Sequence, residues 1–576
     1  TFPPPPSPHP TATPATIPPP PPPQPTATPQ PTPTPQPTPT PVVFPPTPTP
    51  APTPAPPPLL PVTVSAAQFS GTALFQLTGG AALKVAPQAP LAGRDVAFAL
   101  EGLQPWGKVT VGFVDPLGKA AEWVTEQEVR FNPAGGVPVT SRTLFADDSG
   151  RAGWLRVGTL DREGVWSVGI TVNGATSNVS YPVGQLQLAG ESTVTVGAEL
   201  RRFQGSTADV YYSAVVPATL AVDLQSQLAW VVGQLGQRLG VQSRTIPAIY
   251  LAGNKLLFEK MGAAVGASVG REAGFFKSSG VRPGIYMRTD FYHTELLMTL
   301  THEYVHLVLD ELANDRPLPA WLTEGMARFY EYELGLEGGR ADATRLQLYP
   351  SADRVTEAAR SGAFVPLTTL ESQADWNSQT DENRIALQYS EAYMAVRFLT
   401  EDRGARAPID LVREIGRGAS LEGAMAGALG VQYHVFLAQL AVWLKTWEDP
   451  ARAKIGPYAR SLQGTMDSID AILERRNAGL KSDATPLSRA LATETATLLK
   501  RHEALSAPTS LLDMHQSART FLERTVRWLT LEAEYAETLV KAKLVEANNM
   551  IPEIDARQNL LSRDINDLQF VYNLAK

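Results

Sequence analysis

Two histidines one helical turn apart, His302 and His306, constrain this chain more than any other feature. They lie in the run Thr294 to Asp310, where Leu296, Leu297, Leu300, Val305, Leu307 and Val308 supply an apolar face and no Gly or Pro intervenes. At 3.6 residues per turn the two imidazoles stand one above the other on the same side. So placed, they can ligate one zinc ion, and Glu303 beside them is positioned to orient and deprotonate an attacking water. The alternative is a helix with two histidines facing solvent or core. With only 7 His in 576 residues, a chance match to H-E-x-x-H is expected in roughly one chain in a few hundred, which favours the site.

A structural zinc site closes with four protein ligands, whereas a catalytic one takes three and leaves a place for water. The third ligand is expected on a second helix packed against the first. Pro319 suits a helix start, and the run that follows reads as helical to Leu334, stopping at Gly335. Glu324 lies on it, 18 residues after His306, with room for one reversing loop over Asn314 to Leu318. Taken alone, Glu324 reads equally as an exposed helical carboxylate.

Together, His302-Glu303-Tyr304-Val305-His306 and Pro319-Ala320-Trp321-Leu322-Thr323-Glu324-Gly325-Met326-Ala327 resemble the gluzincin branch of the zincin metallopeptidases. The resemblance is to the secreted bacterial peptidase MA-like group and covers roughly residues 200–450. It implies Zn2+ held by His302, His306 and Glu324, with Glu303 as the catalytic base. It also implies a peptide or protein substrate and an α+β zincin-like catalytic domain whose edge strand pairs with extended substrate. These peptidases often carry a tyrosine on a later helix, and Tyr389-Ser390-Glu391-Ala392-Tyr393-Met394-Ala395-Val396-Arg397-Phe398-Leu399 is similar to that pattern. The similarity points to Tyr389 as an oxyanion donor. Two core tyrosines packed at i and i+4 remain the alternative for Tyr389 and Tyr393. The signature by which related aminopeptidases hold a substrate amino terminus is missing upstream of His302, so an endopeptidase is expected.

The rest of the chain divides by composition and period. Residues 1–61 are mostly Pro, Thr, Ala and Gln, too poor in apolar side chains to bury a core, and read as a disordered, extended stalk. Such a stalk suits attachment to a cell surface. From 62 to 190 the period is two: Trp166, Val168, Ile170 and Val172 share one face, and Asp147-Asp148-Ser149-Gly150 and Asn173-Gly174 mark turns. An immunoglobulin-like β-sandwich is expected there. Asp147 and Asp148 read as an ordinary Asx turn rather than a calcium site, because further acidic ligands are missing at the needed spacing.

From 191 to 450 strands and helices alternate around the histidine motif. Strands are expected at Val210–Ala214, Ile246–Leu251 and Gly284–Arg288, and a helix over Pro217–Leu239. Ala273-Gly274-Phe275-Phe276 is the candidate edge strand, a mobile loop being the alternative. From 451 to 576 the chain reads as a self-packed helical bundle, with one amphipathic run from Ser510 to Asn548 and a last helix beginning at Pro552. His293, His434, His502 and His515 fall outside ligand spacing.

A net charge of −8 over 576 residues argues against a nucleic-acid partner. The chain has no Cys, which excludes disulfides and thiolate metal sites. No apolar run reaches transmembrane length. The chain begins at Thr1 rather than Met, so a processed or truncated form is expected, with any signal peptide outside this sequence and an extracellular or cell-surface location. A competing class of function is an inactive adhesion or scaffold protein built on a zincin domain. The intact Glu303 argues against it, because a degenerate site has no chemical need for the base.

Overall fold

The computed structural model describes residues 72–574, apart from 93, 121, 124–128, 131–140, 153, 161–162, 187, 189–190, 196–198, 241–242, 244, 268, 271, 279–282, 291–292, 339–340 and 480–484. The expected Pro-rich stalk lies outside the described residues.

Alternating apolar residues build two facing sheets. The strands are β1 (Ala73–Gln76), β2 (Ala82–Ala86), β3 (Arg94–Glu101), β4 (Lys108–Val114), β5 (Glu122–Trp123) and β6 (Val129–Arg130), followed by β7 (Ser141–Phe145), β8 (Trp154–Leu160), β9 (Gly164–Val172) and β10 (Ala175–Val183). One sheet runs β1-β2-β3-β8-β6-β5 and the other β10-β9-β4-β7. Asn173-Gly174, both at positive φ, turn β9 into β10, as the dipeptide predicts. Every second side chain points inward, so Phe98, Phe113, Trp166 and Tyr181 meet in one core. Phe98 packs edge-on against Phe113 and Tyr181, with ring centroids 5.0 and 5.4 Å away. Asp147 Oδ1 accepts from the backbone N–H of Ser149 and Arg151, both at 2.9 Å, which is the expected Asx turn.

A third sheet follows, built from β11 (Ser192–Thr195), β12 (Glu199–Gln204), β13 (Asp209–Ser213), β14 (Ala248–Ala252), β15 (Gly274–Lys277) and β16 (Gly284–Arg288), in the order β11-β12-β13-β14-β16-β15. Strands β13, β14 and β16 are parallel, and β15 closes the edge antiparallel to β16. The crossovers between the parallel strands carry α1 (Ala218–Leu239) and α2 (Lys255–Ala264). Alternation splits the sheet's two faces. Val210, Tyr212, Ile249, Leu251, Ile285 and Met287 enter the main core, while Tyr211, Tyr250, Tyr286 and Phe275 stack ring on ring across the other face, which Phe258 and Met261 of α2 cover.

The remaining helices are α3 (His293–Leu312), α4 (Ala320–Glu337), α5 (Ala341–Ser361), α6 (Gln373–Asn377), α7 (Glu382–Arg403), α8 (Ala407–Gly416), α9 (Leu421–Leu429) and α10 (Tyr433–Thr446), then α11 (Pro450–Gly479), α12 (Thr485–Glu503), α13 (Leu512–Thr538) and α14 (Lys541–Val571). Their buried faces form one continuous apolar cluster with the third sheet, from Val210 to Tyr572. The helices after residue 450 therefore share a core with those around the histidine motif. Among the described residues no single helix is long and apolar enough to cross a membrane.

Three expectations are corrected. Helix α4 does not stop at Gly335 but runs through it to Glu337. A Cβ at Gly335 would lie 2.3 Å from Thr344 Oγ1, so this glycine admits a close crossing with α5 and is no terminator. The run Ser510–Asn548 is not one helix: α13 ends at Thr538, the next residue Leu539 has a φ of 56° in the left-handed region, and α14 starts at Lys541. The apolar stripe continues across this break because α13 and α14 bury faces against the same core. Pro552 sits inside α14 rather than opening it. The helix forgoes one backbone hydrogen bond there and is held by its packed neighbours, among them buried Ala547 and Ile554.

Candidate metal centre

The turn after α3 positions the site. Asn314 and Asp315 both take positive φ and reverse the chain, so that α4 returns along α3. Pro319 precedes α4 with φ −56°, a value its ring imposes anyway. The antiparallel pair brings His302, His306 and Glu324 together, one ligand atom of each lying within 4.8 Å of the others. Glu324 Oε2 is 3.3 Å from His302 Nε2 and 3.7 Å from His306 Nε2. Ligands about 2.0–2.1 Å from a tetrahedral zinc stand roughly 3.3–3.5 Å apart, so these donors fit the ion with small rotamer changes. Two imidazole nitrogens and one carboxylate oxygen are also the donor chemistry that zinc favours.

A residue the sequence reading missed orients the first histidine. Glu331, two turns beyond Glu324 on α4, takes a hydrogen bond at 3.0 Å from His302 Nδ1. That bond fixes the ring with Nδ1 toward Glu331 and Nε2 toward Glu324. Arg328 Nη1 in turn donates to the other oxygen, Glu331 Oε1, at 2.8 Å. A helical carboxylate seven residues past a ligand has no sequence signature that separates it from a surface residue. Its only signal is a shared face, since seven residues are nearly two turns.

Glu303 is buried and projects beside the histidine pair. Strand β15 packs directly against it: a Cβ on Gly274 would come within 3.3 Å of Glu303 Cγ and 2.7 Å of Thr299 Cγ2. The expected edge strand is therefore present, terminal in its sheet and adjacent to the base. Burial drives the Glu303 carboxyl upward, the charges of His302 and His306 oppose this, and Glu324 and Glu331 reinforce it. Burial also acts to raise Glu324, but His306 and the hydrogen bonds from both histidines hold it far below the carboxylate range. For His302, burial disfavours the charged ring, yet the bonds to Glu324 and Glu331 outweigh it and lift the pKa to about 9.

Tyr389 stands on α7, half-buried, with its ring edge-on to Trp376 at 4.9 Å and under the Arg328 guanidinium at 5.5 Å. Burial and then the charges of Glu324 and Glu303 push its phenol upward, which sets it within electrostatic reach of both site carboxylates. Tyr393, one turn on, is fully buried among Phe329 and Tyr332, and its hydroxyl accepts from Arg397 Nη1 at 2.8 Å. The two tyrosines differ in burial: Tyr393 is fully buried, while Tyr389 is half-buried beside Arg328 and Trp376.

The other histidines stand apart from this cluster. His434 is exposed, and His502 is buried against His515 with ring centroids 4.2 Å apart. The His293 side chain lies outside the described residues.

No protein-family model matches the chain, and no curated protein matches it. Among solved structures, the chain is similar to a mutant M1 zinc metallopeptidase from Deinococcus radiodurans bound to a Tyr-Ser-Ala substrate, at 15% identity and a TM-score of 0.26 over 63% of this chain and 93% of that one. It is also similar to yeast LTA4 hydrolase in complex with bestatin, at 10% identity and a TM-score of 0.27 over 86% of this chain and 93% of that one. Likeness at this level says nothing by itself about chemistry.

Proposed function

We propose that this protein is a zinc-dependent metallopeptidase that hydrolyses peptide bonds. The observation that carries the reading is the convergence of His302, His306 and Glu324 from two antiparallel helices, with buried Glu303 beside them. His302, His306 and Glu324 would hold the ion, leaving one position of a tetrahedron open. A zinc ion there supplies Lewis-acid polarisation of the scissile carbonyl and lowers the pKa of water to about 7. Glu303 takes a proton from the attacking water and passes it to the leaving amine, a role that its raised affinity for protons suits. Glu331 keeps His302 in the ligating tautomer. Tyr389 donates a hydrogen bond to the oxyanion as the carbonyl becomes tetrahedral. Strand β15 is terminal in its sheet among the described residues and lies beside Glu303, so an extended substrate docks there by strand addition.

An edge strand accepts the middle of a polypeptide as readily as its end, which supports endopeptidase action. The Pro- and Thr-rich segment supports a surface-tethered setting. Metal analysis of the purified full chain tests the centre: near-stoichiometric zinc is expected, with loss in His306→Ala. Cleavage of casein should disappear in Glu303→Gln while zinc stays bound. A protein that binds no zinc, or a Glu303→Gln variant as active as the parent, would sink the reading.

A further inference from the structure

Behind Tyr389 lies a pocket of about 330 Å³ whose walls come from α4, α5 and α7. Its lining includes two arginines, Arg328 and Arg354, with the hydroxyl residues Ser351, Ser390, Tyr332, Tyr389 and Tyr393, and no Asp or Glu is among its described lining residues. The two guanidinium groups are not equivalent. Arg328 is already neutralised by Glu331 at 2.8 Å and belongs to the scaffold of the metal centre. Arg354 has no carboxylate partner among the described residues. It makes only long hydrogen bonds, 3.3 Å to Ser390 Oγ and 3.5 Å to the Ala386 carbonyl. Its neighbour Asp353 is engaged elsewhere, accepting from Arg452 Nη1 and Asn573 Nδ2 at 2.7 and 2.6 Å.

An exposed guanidinium held by long neutral bonds, in a pocket with no acidic residue among its described lining, is a receptor for an anion. The pocket is also tied to the chemistry. Arg328 forms part of its wall and donates to Glu331, which in turn bonds His302 of the metal centre. We propose that the pocket is a substrate subsite that receives a carboxylate of the bound peptide, with Arg354 as the specificity-determining residue. The inference rests on the peptidase reading for the identity of the ligand. The carboxylate has two sources in a peptide, an acidic side chain and the terminal carboxyl group, and both present the same planar pair of oxygens.

Calorimetric binding to the full-length, zinc-loaded Glu303→Gln protein separates the possibilities without consuming the peptide. The probes are acetyl-Ala-Ala-Glu-amide, acetyl-Ala-Ala-Ala with a free carboxyl terminus, and acetyl-Ala-Ala-Gln-amide. At least one of the two acidic probes should bind about tenfold or more tightly than the neutral one, consistent with a charge-assisted hydrogen bond. Whichever probe gains identifies the source. The gain should vanish when Arg354→Gln is added and persist in part with Arg354→Lys, with zinc content equal throughout. Equal binding of all three probes, or a preference that survives Arg354→Gln, overturns the subsite. Because binding is read without turnover, loss of the peptidase reading appears separately, as a zinc-loaded parent that cleaves none of a set of peptides.

Discussion

Gly325 of α4 and Ala392 of α7 meet backbone to backbone: a Cβ on Gly325 would lie 2.3 Å from the Ala392 carbonyl oxygen and 2.8 Å from Val396 Cγ2. Gly325 adjoins the ligand Glu324, and Ala392 is one turn from Tyr389. One missing methyl group therefore fixes how closely the metal-binding helix approaches the helix that carries the phenol.

Gly325→Ala tests this directly because two effects have opposite signs. Helix propensity alone favours Ala by about 1 kcal/mol. The clash with backbone offers no soft neighbour to give way, so overpacking of about 1–3 kcal/mol or more should win. A lowered urea midpoint, with weaker zinc retention, is the expected outcome. A raised midpoint would show that the helices can separate at no cost.

Removing the carboxylate of Glu331 should loosen the metal without unfolding the site. In Glu331→Gln the residue keeps its shape but loses the charge that holds the His302 proton at Nδ1, and zinc affinity should fall about 10- to 100-fold. Chelator competition measures this, and added zinc should restore activity. Unchanged affinity would make Glu331 a packing residue only.

For Tyr389→Phe, kcat should drop roughly 10²- to 10³-fold with little change in KM and with zinc retained. Tyr393→Phe keeps the buried ring and loses only the bond from Arg397, so its effect should be mild and fall on stability. Equal, small effects on kcat at both positions would leave the oxyanion without this donor.

Glu391 gives a pH prediction away from the metal. It is 1% exposed, accepts from the Val365 N–H at 2.9 Å through Oε1, and has no hydrogen-bond partner at Oε2. Burial lifts its pKa from 4.5 to about 8 against the pull of that bond and of Arg384. A raised folded-state pKa means that the folded protein binds the extra proton. The stability this provides is complete below about pH 4.5 and is lost as pH rises towards 8. Glu391→Gln is neutral throughout. Its stability should therefore exceed that of the parent by a margin that widens between pH 5 and pH 8, to the order of a few kcal/mol at the upper end. A constant difference across that range would show that Glu391 ionises freely in the fold.

The grouping of His302, His306 and Glu324 was legible because each sits in a strongly periodic helix. The 18 residues between His306 and Glu324 leave room for little but a reversal. The edge strand was legible from its position before Gly284–Arg288, despite a Gly- and Ser-rich neighbourhood. Glu331 and Arg354 were not. Glu331 meets His302 of α3, and Arg354 meets Ala386 and Ser390 of α7, and nothing in local spacing marks a carboxylate that faces a histidine 29 residues earlier. Gly335 and Pro552 misled for a related reason. Both residues usually punctuate helices, but tertiary packing kept these helices continuous. The break at Leu539 was missed because the apolar stripe does not register a reversal when both arms pack on the same core.

Helix α14 touches both ends of this architecture. Asp567 receives two hydrogen bonds from Arg142 of β7, at 2.8 and 2.9 Å, and Arg563 donates to the Thr143 carbonyl at 3.1 Å. Just past the helix, Asn573 holds Asp353, the residue beside Arg354. These contacts join residues as far as 425 positions apart. In the order of synthesis, β7 and α5 emerge long before their partner, so both wait with uncovered polar groups until Asp567 and Asn573 have been added. The strand sandwich has its own core and can collapse early. The α5 segment beside Arg354 gains its Asn573 contact only after the whole of α14 has been made.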